Sequence, residues 1–194
     1  MAKKESVWKE LISPCVVLTV ICVVIVALLA VVNSVTLEII TKNQQAAASE
    51  SRKVVVPAAD SFEQITLDSE IASTYSVVDI YKAKNNTGYA ITVLSKGYGG
   101  EIKFMVGLEP DGKIIAVSVV EQSETPGLGA KIAEDNFTNQ YKSKKGGDLL
   151  VVKGAATSDK DIVAITGATI SSKAATLAVN NACLAFDAVV GGAK

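Results

Sequence analysis

Two short segments of this 194-residue sequence combine glycine with hydroxyl side chains in patterns that could bind a ligand. The first is 124–129, Glu-Thr-Pro-Gly-Leu-Gly, in which proline fixes one φ while Gly127 and Gly129 leave the backbone free. Such a loop can bring backbone N–H groups, the Thr125 hydroxyl and the Leu128 side chain against a flat ligand. A simple connector between a strand and a helix is the alternative interpretation of this segment.

The second segment, 164–172, lies where the last helix is expected to begin, and it carries four hydroxyl groups within seven residues. Its candidate binding residues are Thr166, Gly167, Ala168, Thr169, Ser171 and Ser172. Small residues allow a ligand to approach the backbone, and the first N–H groups of a helix attract a phosphate. The alternative is a helix cap formed by Thr166 or Thr169, which would need no ligand.

The composition excludes several classes of chemistry. Because the chain has no histidine, it has no histidine base to activate a nucleophile and no histidine ligand for a metal. The 19 basic and 20 acidic residues give a net charge of −1, so nucleic acid is not an expected partner. Cys15, Cys22 and Cys183 lack the spacing of metal ligands, and we predict no metal site on this chain.

An apolar run near the N-terminus predicts a membrane anchor. No charged side chain occurs from residue 11 to residue 32, and a helix over 11–32 would be about 33 Å long, enough to cross a bilayer. Lys3, Lys4 and Lys9 precede the run, and this bias predicts a cytoplasmic N-terminus at 1–10. The chain is therefore expected to be a single-pass protein of the cell membrane.

Beyond the anchor we predict a helical stalk at 33–57 and an extracytoplasmic domain at 58–194. The predicted fold class is α+β, with the single N-terminal transmembrane helix followed by an antiparallel sheet on which helices pack. Alternation and turn residues predict strands at 75–82, 88–96, 101–108, 113–121 and 149–153. Helices are predicted at 60–73, 131–141 and 169–189. In the last helix the apolar stripe Ile170, Ala174, Leu177, Leu184 and Ala188 is expected to face the core.

Taken together, 124–129 and the Thr-Gly-Ala-Thr sequence at 166–169 resemble the two signatures of a known FMN-binding domain. This domain occurs in the G subunit of Rnf electron-transport complexes and in the C subunit of sodium-translocating NADH:quinone oxidoreductase. The resemblance implies FMN attached covalently, as a phosphoester, to Thr169 by a flavin transferase that uses FAD. In the family an acidic residue usually lies six positions before that threonine; here Val163 does, and Asp161 lies two residues earlier.

The resemblance also implies a role for each segment. The flavin ring would reach the 124–129 loop, including Glu124, with Leu128 packing on the ring and Thr125 bonding its polar edge. Ser171 and Ser172 would donate to the phosphate. Reduced flavin tends to carry a negative charge at N1, so a nearby cation would raise its potential, and Lys131 or Lys153 could supply it.

The implied function is that of an electron carrier with no complete active site of its own. It would relay electrons between other membrane and peripheral subunits of a complex that couples reduced ferredoxin and NAD⁺ to ion transport. The short chain favours membership of the G-subunit group over the C-subunit group. A non-redox membrane-anchored binding or assembly module and a free-standing extracytoplasmic flavoprotein are the remaining alternatives.

Overall fold

The computed structural model describes residues 13–191, and their contacts divide the chain into two compact units between Ala46 and Ala47. Helix α1 runs from Ser13 to Val55, and its segment Pro14–Ser34 has a mean hydropathy of 3.4. These 21 residues are long and apolar enough to cross a membrane, and their side chains are not buried within the molecule. The predicted cytoplasmic segment 1–10 and the first two residues of the predicted anchor lie outside the described residues.

The second unit is built on an antiparallel sheet that, in the described part of the chain, has five strands in sequence order. The strands are β1 Phe62–Ile65, β2 Val77–Ala83, β3 Tyr89–Lys96, β4 Glu101–Leu108 and β5 Ile114–Glu121. Asn86, with φ 57°, and Gly112, with φ 83°, form the turns after β2 and β4. The predicted α+β class with an antiparallel sheet is confirmed, and the last four strands follow the predicted runs.

One face of this sheet packs against the final helix, α4, which runs from Thr169 to Val189 as predicted. The residues of α4 that are buried in the core are mostly small: Ala174, Ala175, Ala178, Ala182 and Ala185. The expected stripe is wrong except at Ala174, since Ile170, Leu177, Leu184 and Ala188 are exposed. Alanines allow the helix to approach the sheet closely, so the larger side chains lie on the outer face.

The other face of the sheet is covered by the last turns of α1. Val55 and Val56 are buried against Ala90 and Met105, and the Arg52 guanidinium lies 3.9 Å from the centre of the Tyr81 ring. A Cβ at Gly107 would overlap the Val55 backbone, so glycine permits this close approach. The second unit accordingly begins at Ala47, before the predicted domain boundary at residue 58, because the end of the predicted stalk packs on the sheet.

Two predicted helices differ from the structure. Within 60–73 the chain forms strand β1 and then helix α2, Ser69–Tyr75, which begins after Asp68. Pairing of β1 with β2 overrides the local helical spacing of this segment. Within 131–141 the extended backbone at Glu134 divides the chain into short turns. These are a 3₁₀ turn at Gly129–Ala133, α3 at Asp135–Thr138 and a second 3₁₀ turn at Asn139–Tyr141.

The predicted strand at 149–153 is observed as β6, Leu150–Val152, and it pairs in parallel with β7, Asp161–Val163. Strand β7 was not predicted, because it depends on its pairing with β6 rather than on a local pattern of side chains. The chain leaves β7 and reaches the start of α4 within six residues, so β7 positions the segment that contains Thr169.

Candidate functional site

A cleft of about 470 Å³ lies at the N-terminal end of α4. Three segments line it: the turn between β3 and β4, the loop after β5 and the first residues of α4. Its lining residues are Tyr98, Glu124, Thr125, Leu128, Gly129, Gly167, Ala168, Thr169, Ile170 and Ser171. The structure thus brings together the two segments that the sequence analysis singled out, although about 40 residues of chain separate them.

The N-terminus of α4 is open toward a ligand. Ala168 is the N-cap residue, with φ −131° and ψ 40°, and no described side chain caps the helix there. The alternative in which Thr166 or Thr169 caps the helix is therefore wrong. Thr169, half-buried, is the first helical residue and lines the cleft. The first N–H groups of this helix and the positive end of its dipole lie beside the Thr169 hydroxyl.

The Glu124 side chain holds the three segments together. Only 5% of this residue is exposed. One carboxylate oxygen, Oε1, accepts a hydrogen bond from the Gly99 backbone N–H at 2.8 Å, and Oε2 accepts one from Ser171 Oγ at 2.5 Å. A Cβ at Gly129 would overlap Oε2, so a glycine is needed for the loop to pass this close. Glu124 is thereby a structural centre of the cleft.

The hydroxyls of Ser171 and Ser172 both bond to protein groups. Ser171 Oγ donates to Glu124, and Ser172 Oγ donates to the Ala168 carbonyl at 2.9 Å. Ser172 Oγ also accepts from the Ile165 N–H at 3.0 Å. These bonds fix the turn at 165–168, in which Gly167 has φ +81° and lies against Leu128. The expected donation of both hydroxyls to a phosphate stays a prediction.

Several predicted site residues do not line the cleft. Thr166 and Gly127 are exposed beside it, and Gly127, with φ +77°, provides the left-handed residue of the loop. Lys131 is exposed in the 3₁₀ turn after the loop, and Lys153 is exposed directly after β6. Neither lysine is brought to the cleft, and the expected cation beside a flavin stays a prediction.

Asp161 is the acidic residue nearest to the Thr-Gly-Ala-Thr motif along the chain, and its side chain stabilises a local turn. Its Oδ2 accepts hydrogen bonds from the Thr157 N–H, the Thr157 hydroxyl and the Ser158 N–H at 2.8–2.9 Å. The bonds from Thr157, followed by those from Ser158, lower the pKa of Asp161 to about 2. Val163, two residues further along β7, donates its N–H to Gln140 Oε1 at 2.7 Å. Both residues therefore secure the chain before the motif.

Sequence reasoning missed two residues of the cleft, Tyr98 and Ile170. Tyr98 lies in the Gly-Tyr-Gly-Gly turn between β3 and β4, and it is 73% exposed. An aromatic residue flanked by glycines in a tight turn is a signal that could have identified it, because a ring so placed has little to pack on locally. Ile170 was assigned to the core, but it is 54% exposed and forms part of the cleft wall.

The arrangement suits a flat aromatic ligand that carries a phosphate. Tyr98, Leu128 and Ile170 provide exposed apolar surface, while Thr169 and the open helix N-terminus provide a hydroxyl and N–H donors. Residues 97–183, which include all three lining segments, match the family model of the FMN-binding domain. The chain therefore carries an FMN-binding domain.

Relatives that align with most of the chain identify the family within the FMN-binding proteins to which it belongs. Over 90% of its length the chain is 35% identical to the G subunit of the proton-translocating ferredoxin:NAD⁺ oxidoreductase complex of Clostridium ljungdahlii, of which 91% is covered. Over 93% it is 36% identical to the G subunit of the sodium-translocating ferredoxin:NAD⁺ oxidoreductase complex of Acetobacterium woodii, of which 95% is covered. This chain belongs to the family of G subunits of ion-translocating ferredoxin:NAD⁺ oxidoreductase complexes.

Among solved structures the fold is similar to that of the C subunit of the sodium-translocating NADH-quinone reductase from Parabacteroides distasonis. The TM-score is 0.50 at 22% identity, over 64% of this chain and 70% of that one. At this identity the likeness concerns the fold alone.

Proposed function

We propose that this chain is the electron-carrier subunit of a membrane-bound, ion-translocating ferredoxin:NAD⁺ oxidoreductase complex, and that it relays electrons through FMN bound covalently to Thr169. The observation that carries the proposal is the cleft, in which the loop 124–129 and the residues 167–171 face one volume. Family membership supports FMN as the ligand. The curated relatives are G subunits, which favours this assignment over the C-subunit alternative.

In this proposal Thr169 supplies the covalent link. A flavin transferase would bring FAD to the cleft, and Thr169 Oγ would lose its proton and form a bond to the flavin-side phosphorus. The pyrophosphate bond would break in the same exchange, and AMP would leave and take up the proton. The resulting phosphoester carries a negative charge, which the α4 N-terminus stabilises because its first N–H groups have no described side-chain cap.

The remaining residues of the cleft would hold the cofactor rather than react with it. Leu128 offers an apolar contact for the ring, and Thr125 offers a hydroxyl for its polar edge. Bound FMN supplies one- and two-electron chemistry to the subunit. The cleft is open at the surface, and all three of its prominent apolar side chains are exposed. A redox partner would approach the flavin from this open side of the cleft.

The membrane arrangement forms part of the same proposal. The helix with the segment Pro14–Ser34 would anchor the chain in the membrane as one part of a larger complex. The lysines before it favour a cytoplasmic N-terminus, which would leave the FMN domain on the extracytoplasmic side. Free flavin is scarce there, and a covalent link would prevent loss of the cofactor.

Membranes that contain the whole complex allow a direct test of the relay. We expect Thr169→Ala to abolish ferredoxin-dependent reduction of NAD⁺, because the chain would lack its cofactor. Thr74→Ala, at an exposed position of α2, is the matched control and should retain wild-type turnover. Native gel electrophoresis must show that each complex is assembled. Full turnover by an assembled Thr169→Ala complex would contradict the proposal.

A further inference from the structure

Tyr98 is the aromatic residue among those that line the cleft, and its ring is not buried in the core of the domain. The residue is 73% exposed at the tip of the turn between β3 and β4. Exposure of a large aromatic side chain forgoes the free energy that its burial would contribute. A tyrosine that only ended a hairpin could be replaced by a polar residue. Its position therefore suggests that something else covers the ring.

The turn that carries Tyr98 is held firmly against the loop after β5. Gly97 N–H donates to the Gly100 carbonyl at 2.8 Å, which closes the turn, and Gly99 N–H donates to Glu124 Oε1 at the same distance. A Cβ at Gly97 would overlap Glu124 Oε1, and one at Gly99 would overlap the Ser123 carbonyl. Because both flanking residues are glycines in close contact with this loop, the backbone that presents Tyr98 has little freedom to move away.

The other walls of the cleft are apolar and could contact the face of an aromatic ligand. Leu128, 46% exposed, and Ile170, 54% exposed, are also apolar and open to solvent in this cleft. Leu128 lies against Gly167, where a Cβ would come within 3.2 Å of its Cδ2 atom. The cleft thus has an aromatic wall on the turn, an aliphatic wall on the loop and helix, and Thr169 among its lining residues.

We propose that the Tyr98 ring contacts the isoalloxazine ring of the FMN carried by Thr169 and forms the aromatic wall of the flavin site. The inference rests on the proposed function and adds a binding residue to it. Stacking of an aromatic side chain on a flat heterocycle contributes to binding through its π face, and exclusion of water adds to this. A phenol in contact with an excited flavin transfers an electron to it and quenches its fluorescence.

The test uses the full-length protein in detergent, produced together with a flavin transferase. Intact mass of the denatured protein first establishes that each variant carries FMN. Flavin emission is then compared between the folded protein and the same sample unfolded in guanidinium. The folded-to-unfolded emission ratio should be low for the wild type and should rise for Tyr98→Leu. Tyr98→Trp, which restores an aromatic electron donor, should return it to the low value.

Leu150→Ser provides the control, because Leu150 is an exposed apolar residue on β6 outside the cleft, and its ratio should match the wild type. An unchanged ratio in Tyr98→Leu at equal FMN content would overturn the inference and leave the proposed function intact. Absence of FMN from the wild type would instead overturn the proposed function, and the assignment of Tyr98 with it.

Discussion

Two buried carboxylates, Glu124 and Asp161, organise loops of this domain on different scales. Glu124 accepts hydrogen bonds from Gly99 and Ser171, which are 25 and 47 residues away in the sequence. Asp161 accepts its bonds from Thr157 and Ser158, which are four and three residues away. Glu124 therefore joins three separate segments of the chain, whereas Asp161 completes a single turn.

This difference indicates which carboxylate supports the candidate site. Both segments connected to Glu124 line the cleft, so loss of its side chain would disturb the cleft directly. Asp161 does not line the cleft. It is the first residue of β7, and its hydrogen bonds stabilise the turn that precedes this strand. Proximity in sequence to Thr169 is thus a poor guide to influence on it, because Glu124 is the more distant residue along the chain.

Removal of the Glu124 side chain should cause the largest loss of stability. Glu124→Ala leaves the Gly99 N–H and the Ser171 hydroxyl without their buried acceptor, so we expect the free energy of unfolding to fall by about 2–4 kcal/mol. Urea unfolding in detergent, followed by circular dichroism, measures this change. The control is Glu121→Ala, which removes an exposed surface ion pair with Lys103 and should cost about 0.5 kcal/mol or less. Equal losses in both variants would show that Glu124 is not a structural centre.

Gly129→Ala should disturb the hydrogen bonds of Glu124 without removing its side chain. The new methyl group would overlap Glu124 Oε2 and lie 2.8 Å from Ser171 Oγ, so loop and helix must separate. We expect a loss of about 1–3 kcal/mol in the free energy of unfolding, as for overpacking in a core. Gly191→Ala, where the nearest atom would be 3.9 Å away, is the matched control. A neutral Gly129→Ala would mean that the loop accommodates the methyl group.

Asp161 should have a smaller effect on the stability of the protein, and this effect should depend on pH in the acid range. Its pKa is lowered from the ordinary 3.8 to about 2 when the protein is folded, so its stabilising contribution is present above pH 3.8 and is lost as the pH falls toward 2. The urea midpoint of the wild type should fall across this range. In Asp161→Asn the midpoint should start lower and fall less steeply over the same range. Parallel curves for the two proteins would contradict the assignment of the lowered pKa.

Local pattern was sufficient to predict much of this fold. Strands β2 to β5 combine alternating side chains with strong turn signals such as Pro110-Asp111-Gly112, and they occur close to where these signals predict. The bounds of α4 were also correct. Its buried face was not, because the expectation assigned large residues such as Leu177 to the core, whereas the helix contacts the sheet through alanines.

The two segments of the candidate site could be predicted from the sequence, but the contacts that assemble them could not. The two segments were identified from glycine and hydroxyl residues, and the structure places both at one cleft. The long-range bonds of Glu124 and the position of Tyr98 depend on how separate strands and loops meet, which no local pattern encodes. Strands β1 and β7 were missed for the same reason, since each is short and depends on its pairing partner.

Intact mass of the denatured protein after coexpression with a flavin transferase tests directly whether Thr169 bears the flavin. We predict that the wild type and Thr74→Ala carry an adduct equal to FMN less one water, and that Thr169→Ala carries none. Fragmentation of the wild-type peptide should place the adduct on Thr169. An unmodified wild type beside an active transferase, or a modified Thr169→Ala, would contradict the assignment of Thr169 as the residue that bears the flavin.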